Sequence, residues 1–387
     1  MTVTDIMGIR LLNTQMILGA VRFEDAITKR EIAERTGLSF ATVSNLCNEL
    51  MDQGLLRTVK NNAVTVGRTP QFLTCDYNHY CTVALNLQMD SVITLGVANF
   101  RNQLIVQREF SVSPNLKAED VIHLAKSYFD SEIQPHVPEG AHMIGIGVAV
   151  SSIFDIHTSN LICCAIPQFE NVNIKKIVEQ EFCMRAYVDN EANLCACALL
   201  TLHHSKESVV YVHASEGVGV GIIVQGTLMN GSNGYAGEVA HMPIGNMEHY
   251  CKDCCSYGCI ERELCVDGIL ENYLGTEPIE RFSQWREFLA SVEKRDENAM
   301  KVVADTGFYL GKLLSVLVNL FDPSAVYIGG DIADLHAQLD TSVKETIERS
   351  CGNWRTRQPQ IVWDENSEMR IHIGISERIC STWSPNS

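Results

Sequence analysis

The sequence predicts an α/β protein with a winged helix-turn-helix at its N-terminus, and three observations predict it. Residues Lys29–Asn48 carry apolar side chains and a turn glycine at helix-turn-helix spacing. From Tyr80 onward the pattern changes to apolar runs of strand length: Thr82–Leu87, Ile93–Ala98, Met143–Val150, Val209–His213, Val218–Val224 and Ala325–Ile328. Stretches of helical period separate them, among them Ala118–Phe129, Asn173–Phe182 and the long Glu297–Phe321. Strands interleaved with helices make an α/β sheet domain. A chain of 387 residues is long enough for two or three domains. The change of period near Asp76–Tyr80 places the expected division, with residues 1–76 a winged helix-turn-helix domain and residues 77–387 the α/β body.

Within the head, roughly Asn13–Asp76 reads as helix, helix, tight turn, helix and hairpin. Ile32, Leu38, Val43 and Leu46 supply the apolar faces, and Ala33 is small enough to sit where two helices cross. Gly37 provides the left-handed residue the turn needs. Ser39 suits an N-cap. The second helix then presents Ser39, Phe40, Ser44, Asn45 and Asn48 to a major groove, where Asn can bond adenine edges. An ordinary helical hairpin would share the apolar spacing. The adjoining segment favours nucleic acid, because Arg57–Gln71 contains Arg57, Lys60 and Arg68 and no acid. Gly67-Arg68-Thr69-Pro70 reads as an extended arm for a narrow minor groove.

The net charge of −17 argues against a nucleic-acid partner for the chain as a whole. It is unevenly spread. Residues 1–75 hold two Lys and six Arg against three Asp and four Glu, a net of +1, which leaves −18 for residues 76–387. An acidic body under a locally basic arm suits a DNA binder whose larger domain stays off the phosphates.

Hydrophobic residues at 46% and charged residues at 20% are ordinary for a globular protein. No apolar run looks long enough for a bilayer and no signal-peptide pattern opens the chain, so a cytoplasmic location without a membrane partner is expected. Fifteen cysteines are many. Ten are scattered, in apolar contexts such as Ile162-Cys163-Cys164, and five crowd between Cys251 and Cys265. Buried thiols plus one metal site in a reducing compartment explain this better than disulfides.

The most specific constellation is Gly231–Glu261. It holds Gly234-Tyr235-Ala236-Gly237-Glu238-Val239-Ala240-His241, then Cys251, Cys254, Cys255 and Gly258-Cys259-Ile260-Glu261. His241 with Cys251, Cys254 and Cys259 is a one-imidazole, three-thiolate set for a structural Zn2+. Cys255 is a spare thiol that could take a ligand position instead.

On these motifs the chain resembles the ROK family of repressors, open reading frames and kinases. The likeness also takes in Gly145-Ile146-Gly147-Val148, Asn190-Glu191-Ala192-Asn193, Gly217-Val218-Gly219-Val220-Gly221 and Ile328-Gly329-Gly330. It implies a two-lobed, actin-like sugar-kinase fold for the body. With the winged helix in front, it implies the arrangement of the family's xylose-repressor-like regulators. It further implies that sugar hydroxyls are held by Asn190, Glu191, Glu238, His241 and Glu261.

The chain departs from the family's kinases where ATP would bind. Their Asp-x-Gly-Gly-Thr is matched by Asn86-Leu87-Gln88-Met89-Asp90, their catalytic Asp by Glu191, and their Pro-Gly by Ser151-Ser152, while Glu216 puts negative charge beside a phosphate. No ATP is therefore expected. The reading is a sugar-responsive DNA-binding transcriptional repressor whose kinase-like domain binds an uncharged, free sugar. Its expected partners are a double-stranded operator with an inverted repeat and further copies of the chain, as a homodimer or dimer of dimers. A ROK-type sugar kinase with an added DNA-binding arm, and a DNA binder whose body only dimerises, are the competing readings.

Overall fold

The computed structural model describes residues 3–60, 71–87, 92–155, 157–162, 166–202, 207–352 and 358–385. The head is a winged helix. Its first helix, Val3–Val21, starts earlier than its apolar period suggests. The second, Lys29–Thr36, is fixed at its start by a reciprocal cap. Thr28 Oγ1 accepts from Glu31 N at 3.2 Å, and Glu31 Oε2 accepts from Thr28 N at 2.8 Å. It ends at Gly37, whose φ of 72° is the left-handed conformation expected there. The third helix, Phe40–Asp52, begins at Ser39, whose hydroxyl accepts from Thr42 N at 3.1 Å. Leu56–Val59 and Phe72–Cys75 pair antiparallel as the wing strands, and Ile27–Thr28 completes a three-stranded sheet. Ile17, Ile32, Val43, Leu50 and Leu73 are buried between them.

The body is built twice on one plan. In the first lobe, Tyr80–Leu87, Val92–Asn99 and Leu104–Ser111 run antiparallel, and His142–Val150 and Ala186–Asn190 add in parallel beside Tyr80–Leu87. In the second, Val209–Ala214, Val218–Val224 and Thr227–Leu228 run antiparallel, and Ala325–Gly329 and Gln360–Asp364 add in parallel beside Val209–Ala214. Numbered within each lobe, both sheets read 3-2-1-4-5. This duplication is the two-lobed architecture that the family resemblance implies. Each lobe has its own core, around Leu85, Ile146 and Val178 in the first and Val212, Leu313 and Ile328 in the second.

Glu297–Phe321 is apolar and long enough, by length and composition, to cross a membrane, counter to the expectation that no apolar run reaches that length. Here most of that stretch is buried inside the second lobe, and its buried residues, among them Leu310, Leu313 and Leu317, recur on one face. It is packed as a core helix.

Two helices join the lobes. Glu191–Leu199 comes after the first lobe's last strand and lies against Val218–Val224 of the second. A Cβ at Gly221 would stand 2.2 Å from Ala192 O, so only glycine permits that approach. Ser367–Thr382 comes after the second lobe's last strand and returns across the first. A Cβ at Gly374 would stand 1.8 Å from Leu194 O. Neither this helix nor the edge strand Leu104–Ser111 is evident in the pattern of the sequence. The strand buries little beyond Val106, so its apolar signal is thin.

Candidate functional site

A cavity of about 660 Å3 opens between the lobes. From the first lobe come Ser151, just beyond strand His142–Val150, then Asn190 at the end of its strand and Glu191 at the first turn of the joining helix. The second contributes His213 from strand Val209–Ala214, Glu216 from the turn after it, and Glu238 and His241 from the Gly-rich loop. Glu261, where helix Glu261–Leu264 begins, completes that wall. All five residues expected to face a sugar, Asn190, Glu191, Glu238, His241 and Glu261, therefore line one cavity.

Asn190 organises this wall. Its Oδ1 caps the helix by accepting from Asn193 N at 2.8 Å, and its Nδ2 donates to Glu238 Oε1 at 3.1 Å. Burial pushes the Glu238 carboxyl up to about 7, with Asn190 pulling the other way and Asp189 and Glu261 adding to the rise. Burial also raises Glu261, against the pull of His241. Glu191 Oε2 accepts from Ser151 Oγ at 2.8 Å and lies 3.6 Å from His213 Nε2.

The corner where a kinase would hold nucleotide is built differently. Asn86, in place of the family's Asp, is fully buried in the first sheet, and its side-chain amide has no hydrogen-bond partner among the described residues. Gln88, Met89 and Asp90 lie outside the described residues. The glycines of Gly217-Val218-Gly219-Val220-Gly221 serve close packing. Added Cβ atoms would meet Glu261 Oε1 at 3.2 Å, Ala192 Cβ at 3.1 Å and Ala192 O at 2.2 Å respectively. Glu216 lies 3.8 Å from Arg281, and Arg281 is itself bidentate with Asp267 at 2.6 and 2.7 Å. Carboxylates in this corner repel phosphate.

Beside the cavity, the side chains of His241, Cys251, Cys254 and Cys259 bring one donor atom each to within 4.8 Å of one another. Cys251 Sγ lies 3.7 Å from His241 Nδ1, and Cys254 Sγ 3.3 Å from Cys259 Sγ. These separations are close to those around a tetrahedral metal with thiolate and imidazole ligands, so the cluster could hold a metal ion. Cys255 is outside it, exposed and turned to Lys252 O at 3.5 Å. The hairpin Tyr250–Cys251 with Ser256–Tyr257 carries two of these ligands, Cys251 in its first strand and Cys254 in its turn. It is pinned by a pair that sequence reasoning misses, His249 Nδ1 to the buried Glu263 Oε1 at 2.7 Å. His213 is likewise missed as a cleft residue, because nothing local marks a His as facing a cavity built from distant segments, whereas Ser151 and Glu216 are marked in the sequence only as departures from the kinases' nucleotide site.

On the head, Phe40, Asn45, Arg57 and Lys60 are exposed and Ser44 is half-buried. Ser39 and Asn48 are exposed too. The Ser39 hydroxyl caps the helix, and Asn48 Oδ1 accepts from Lys29 Nζ at 2.6 Å. Arg68 lies outside the described residues.

Head and body share a core, in which Leu18, Val21 and Cys75 meet Phe100, Tyr80, Cys380 and Trp383. The nearly buried Arg22 pairs with Glu377 at 2.9 Å and also bonds Phe100 O and the Asn102 side chain. Arg101 reaches back from the body to Arg22 O at 2.9 Å and Asp25 at 2.7 Å.

Fold and site together define a DNA-binding head on a two-lobed, sugar-kinase-like body. Comparison with known proteins agrees. The ROK family profile matches residues 101–370 and the MarR family profile residues 16–63. The xylose repressor of Bacillus spizizenii is 23% identical, over 90% of this chain and 89% of its own. The N-acetylglucosamine repressor of Escherichia coli O157:H7 is 22% identical, over 91% and 89%. Among solved structures, a ROK family transcriptional regulator described as a homologue of the E. coli MLC protein superposes with a TM-score of 0.80 at 18% identity, covering 97% of each chain. The chain belongs to the ROK family. Its plan is that of the family's transcriptional repressors, with a helix-turn-helix head before the ROK body, and not that of its kinases.

Proposed function

We propose that this protein represses transcription by binding an operator through its winged helix, and that a free sugar in the interlobe cavity controls that binding. The observation that carries the reading is the combination found in the cleft. Asn190, Glu191, Glu238, His241 and Glu261 converge on one cavity, while Glu216 occupies the corner a nucleotide would need. Carboxylates accept two hydroxyls each and reject ligands that lack them. A phosphorylated sugar is disfavoured by the same charges.

A structural zinc ion on His241, Cys251, Cys254 and Cys259 is part of this reading. It would hold the His241 ring by Nδ1 and leave the ring's other nitrogen toward the cleft, so that the metal orients a sugar contact. Phe40, Ser44 and Asn45 read the major groove and Arg57, Lys60 and Arg68 contact the backbone and minor groove. One such helix reads few bases, so the operator is an inverted repeat held by a dimer.

A thermal-shift screen of free sugars and sugar phosphates, followed by operator gel shifts with the hit, tests the proposal. A free sugar should raise the melting temperature and change operator affinity, with no ATP turnover. Sugar-dependent release of phosphate from ATP would make the protein a kinase instead. Elemental analysis should give one zinc per chain, lost in Cys254→Ser and kept in Cys255→Ser.

A further inference from the structure

His213 lines the cavity without a task among the sugar contacts named above. It stands near the end of Val209–Ala214, the central strand of the second lobe's sheet. Only 8% of it is exposed, and the residues paired with it on the two neighbouring strands, Gly219 and Gly329, carry no side chain. Its ring stacks beside that of the fully buried Tyr211, whose hydroxyl donates to Asp364 Oδ2 at 2.9 Å. Packing therefore fixes the imidazole, and hydrogen bonds do not. Nδ1 has no hydrogen-bond partner among the described residues. Nε2 lies 3.6 Å from Glu191 Oε2, too far for a hydrogen bond. Burying an imidazole with neither nitrogen bonded costs stability, so an apolar side chain would serve the sheet better. The sheet gives no reason for a histidine here; the cavity it lines does.

Glu191 supplies the complement. Its Oε2 accepts from Ser151 Oγ at 2.8 Å, and its Oε1 has no hydrogen-bond partner among the described residues. The carboxylate on its Nε2 side assigns the His213 ring proton to that nitrogen. A donor and an acceptor thus stand side by side at one place on the cavity wall. A hydroxyl can donate to Glu191 and accept from His213 Nε2 at once. A hydrogen in its place does neither, a fluorine cannot donate, and an ammonium cannot accept. Each substitute leaves at least one buried protein group unpaired, and that penalty is what gives such a site its selectivity.

We propose that His213 is a specificity-determining residue of the effector site, and that it donates to the same sugar hydroxyl whose proton Glu191 accepts. The inference rests on the sugar-sensing reading and deepens it, by adding His213 to the residues that hold the sugar.

Titration calorimetry on the full chain tests it, with glucose, galactose, xylose and N-acetylglucosamine, and then with the monodeoxy and monofluoro derivatives of the sugar that binds. At one ring position the native chain should lose about tenfold or more in affinity for both derivatives, the ratio a charge-assisted contact supports. His213→Leu should shrink the penalty at that position to within about threefold and leave the penalties at other positions as they are. His213→Gln, whose amide can still donate, should restore part of it. If His213→Leu fails to fold, the native chain with isotope-labelled histidine decides. The ring nitrogen signal of His213, assigned by its loss in His213→Gln, should move when the parent sugar binds and stay in place with the critical deoxy derivative. A folded His213→Leu that keeps every native penalty, or a ring signal indifferent to the parent sugar, overturns the inference. If in that case the sugar still changes operator affinity, only this inference falls. If none of these sugars binds, it falls together with the sugar-sensing reading.

Discussion

Glu238 faces conflicting demands: burial favours its protonated form, while sugar hydroxyls favour its carboxylate. Its ordinary value of 4.5 is raised to about 7 in the folded chain. Between those values the folded state holds a proton that the unfolded chain has lost, so stability falls as pH rises from 4.5 to 7. Glu238→Gln should remove this part of the pH dependence in chemical unfolding. Effector binding has the opposite slope. Hydroxyl donors lower the carboxyl's pKa, so binding releases a proton and affinity rises with pH through about 7. Calorimetry between about pH 6 and 8 should show affinity increasing about three- to tenfold in the native chain, on the scale set by a shift of up to about one pKa unit, and staying flat in Glu238→Gln. Asp189 and Glu261 act on the same carboxyl. If the slope persists in Glu238→Gln, the proton belongs to one of them.

At the scale of elements, the helix Ser367–Thr382 is the piece that touches everything. Near its start Arg370 pairs with Asp364 of the second lobe's edge strand at 2.9 Å. His372 and Ile375 pack over Gly96 and Gly147 of the first lobe's sheet. Gly374 meets the joining helix that begins at Glu191. Toward its end Glu377 pairs with Arg22, and Thr382 O accepts from Gln15 of the head. A change in the angle between the lobes must therefore move, or strain, the seat of the head. Little of this is legible in the sequence. Gly37 and Ser39 announce the head because turns and caps need particular residues locally. The strands Val218–Val224 and Val209–Ala214 show as apolar runs because both of their faces are covered. The C-terminal helix mixes Arg370, His372, Glu377 and Arg378 with its apolar residues, since it packs on several unlike surfaces, and no single apolar stripe results. Arg22→Met should test the connection. Removing one partner of a buried pair costs about 3–5 kcal/mol, so the melting temperature should drop. The effector should then shift operator affinity by less than half of its native effect, measured as the change in the logarithm of Kd. A full response in Arg22→Met would mean that the signal reaches the head by another contact.

For the molecule as a whole, repression and its relief are a matter of two arrangements and their difference in free energy. The sugar can release the operator only if it binds the arrangement with the poorly placed heads better than the operator-binding one. Moving the protein from mostly competent to mostly incompetent takes roughly 3–5 kcal/mol of such preference. The cleft is equipped to supply it, because its walls come from both lobes and its acceptors are charged. Contacts of a carboxylate with a hydroxyl contribute about 1.5–3 kcal/mol each, and two that form only on closure suffice. Glu238 on the Gly-rich loop and Glu261 at its helix start are the candidates, since both belong to the second lobe while Asn190 and Glu191 belong to the junction with the first. Glu238→Gln and Glu261→Gln should therefore bind the operator normally without sugar and lose most of the sugar's effect, each shifting the effector concentration at half-response upward by about tenfold or more. Gel shifts on an inverted repeat, run against a sugar titration, give both quantities from one experiment. If both variants respond at native concentrations, the ligand that moves the heads binds outside this cleft, and the convergence of the five residues reflects descent from a sugar-binding fold and not present use.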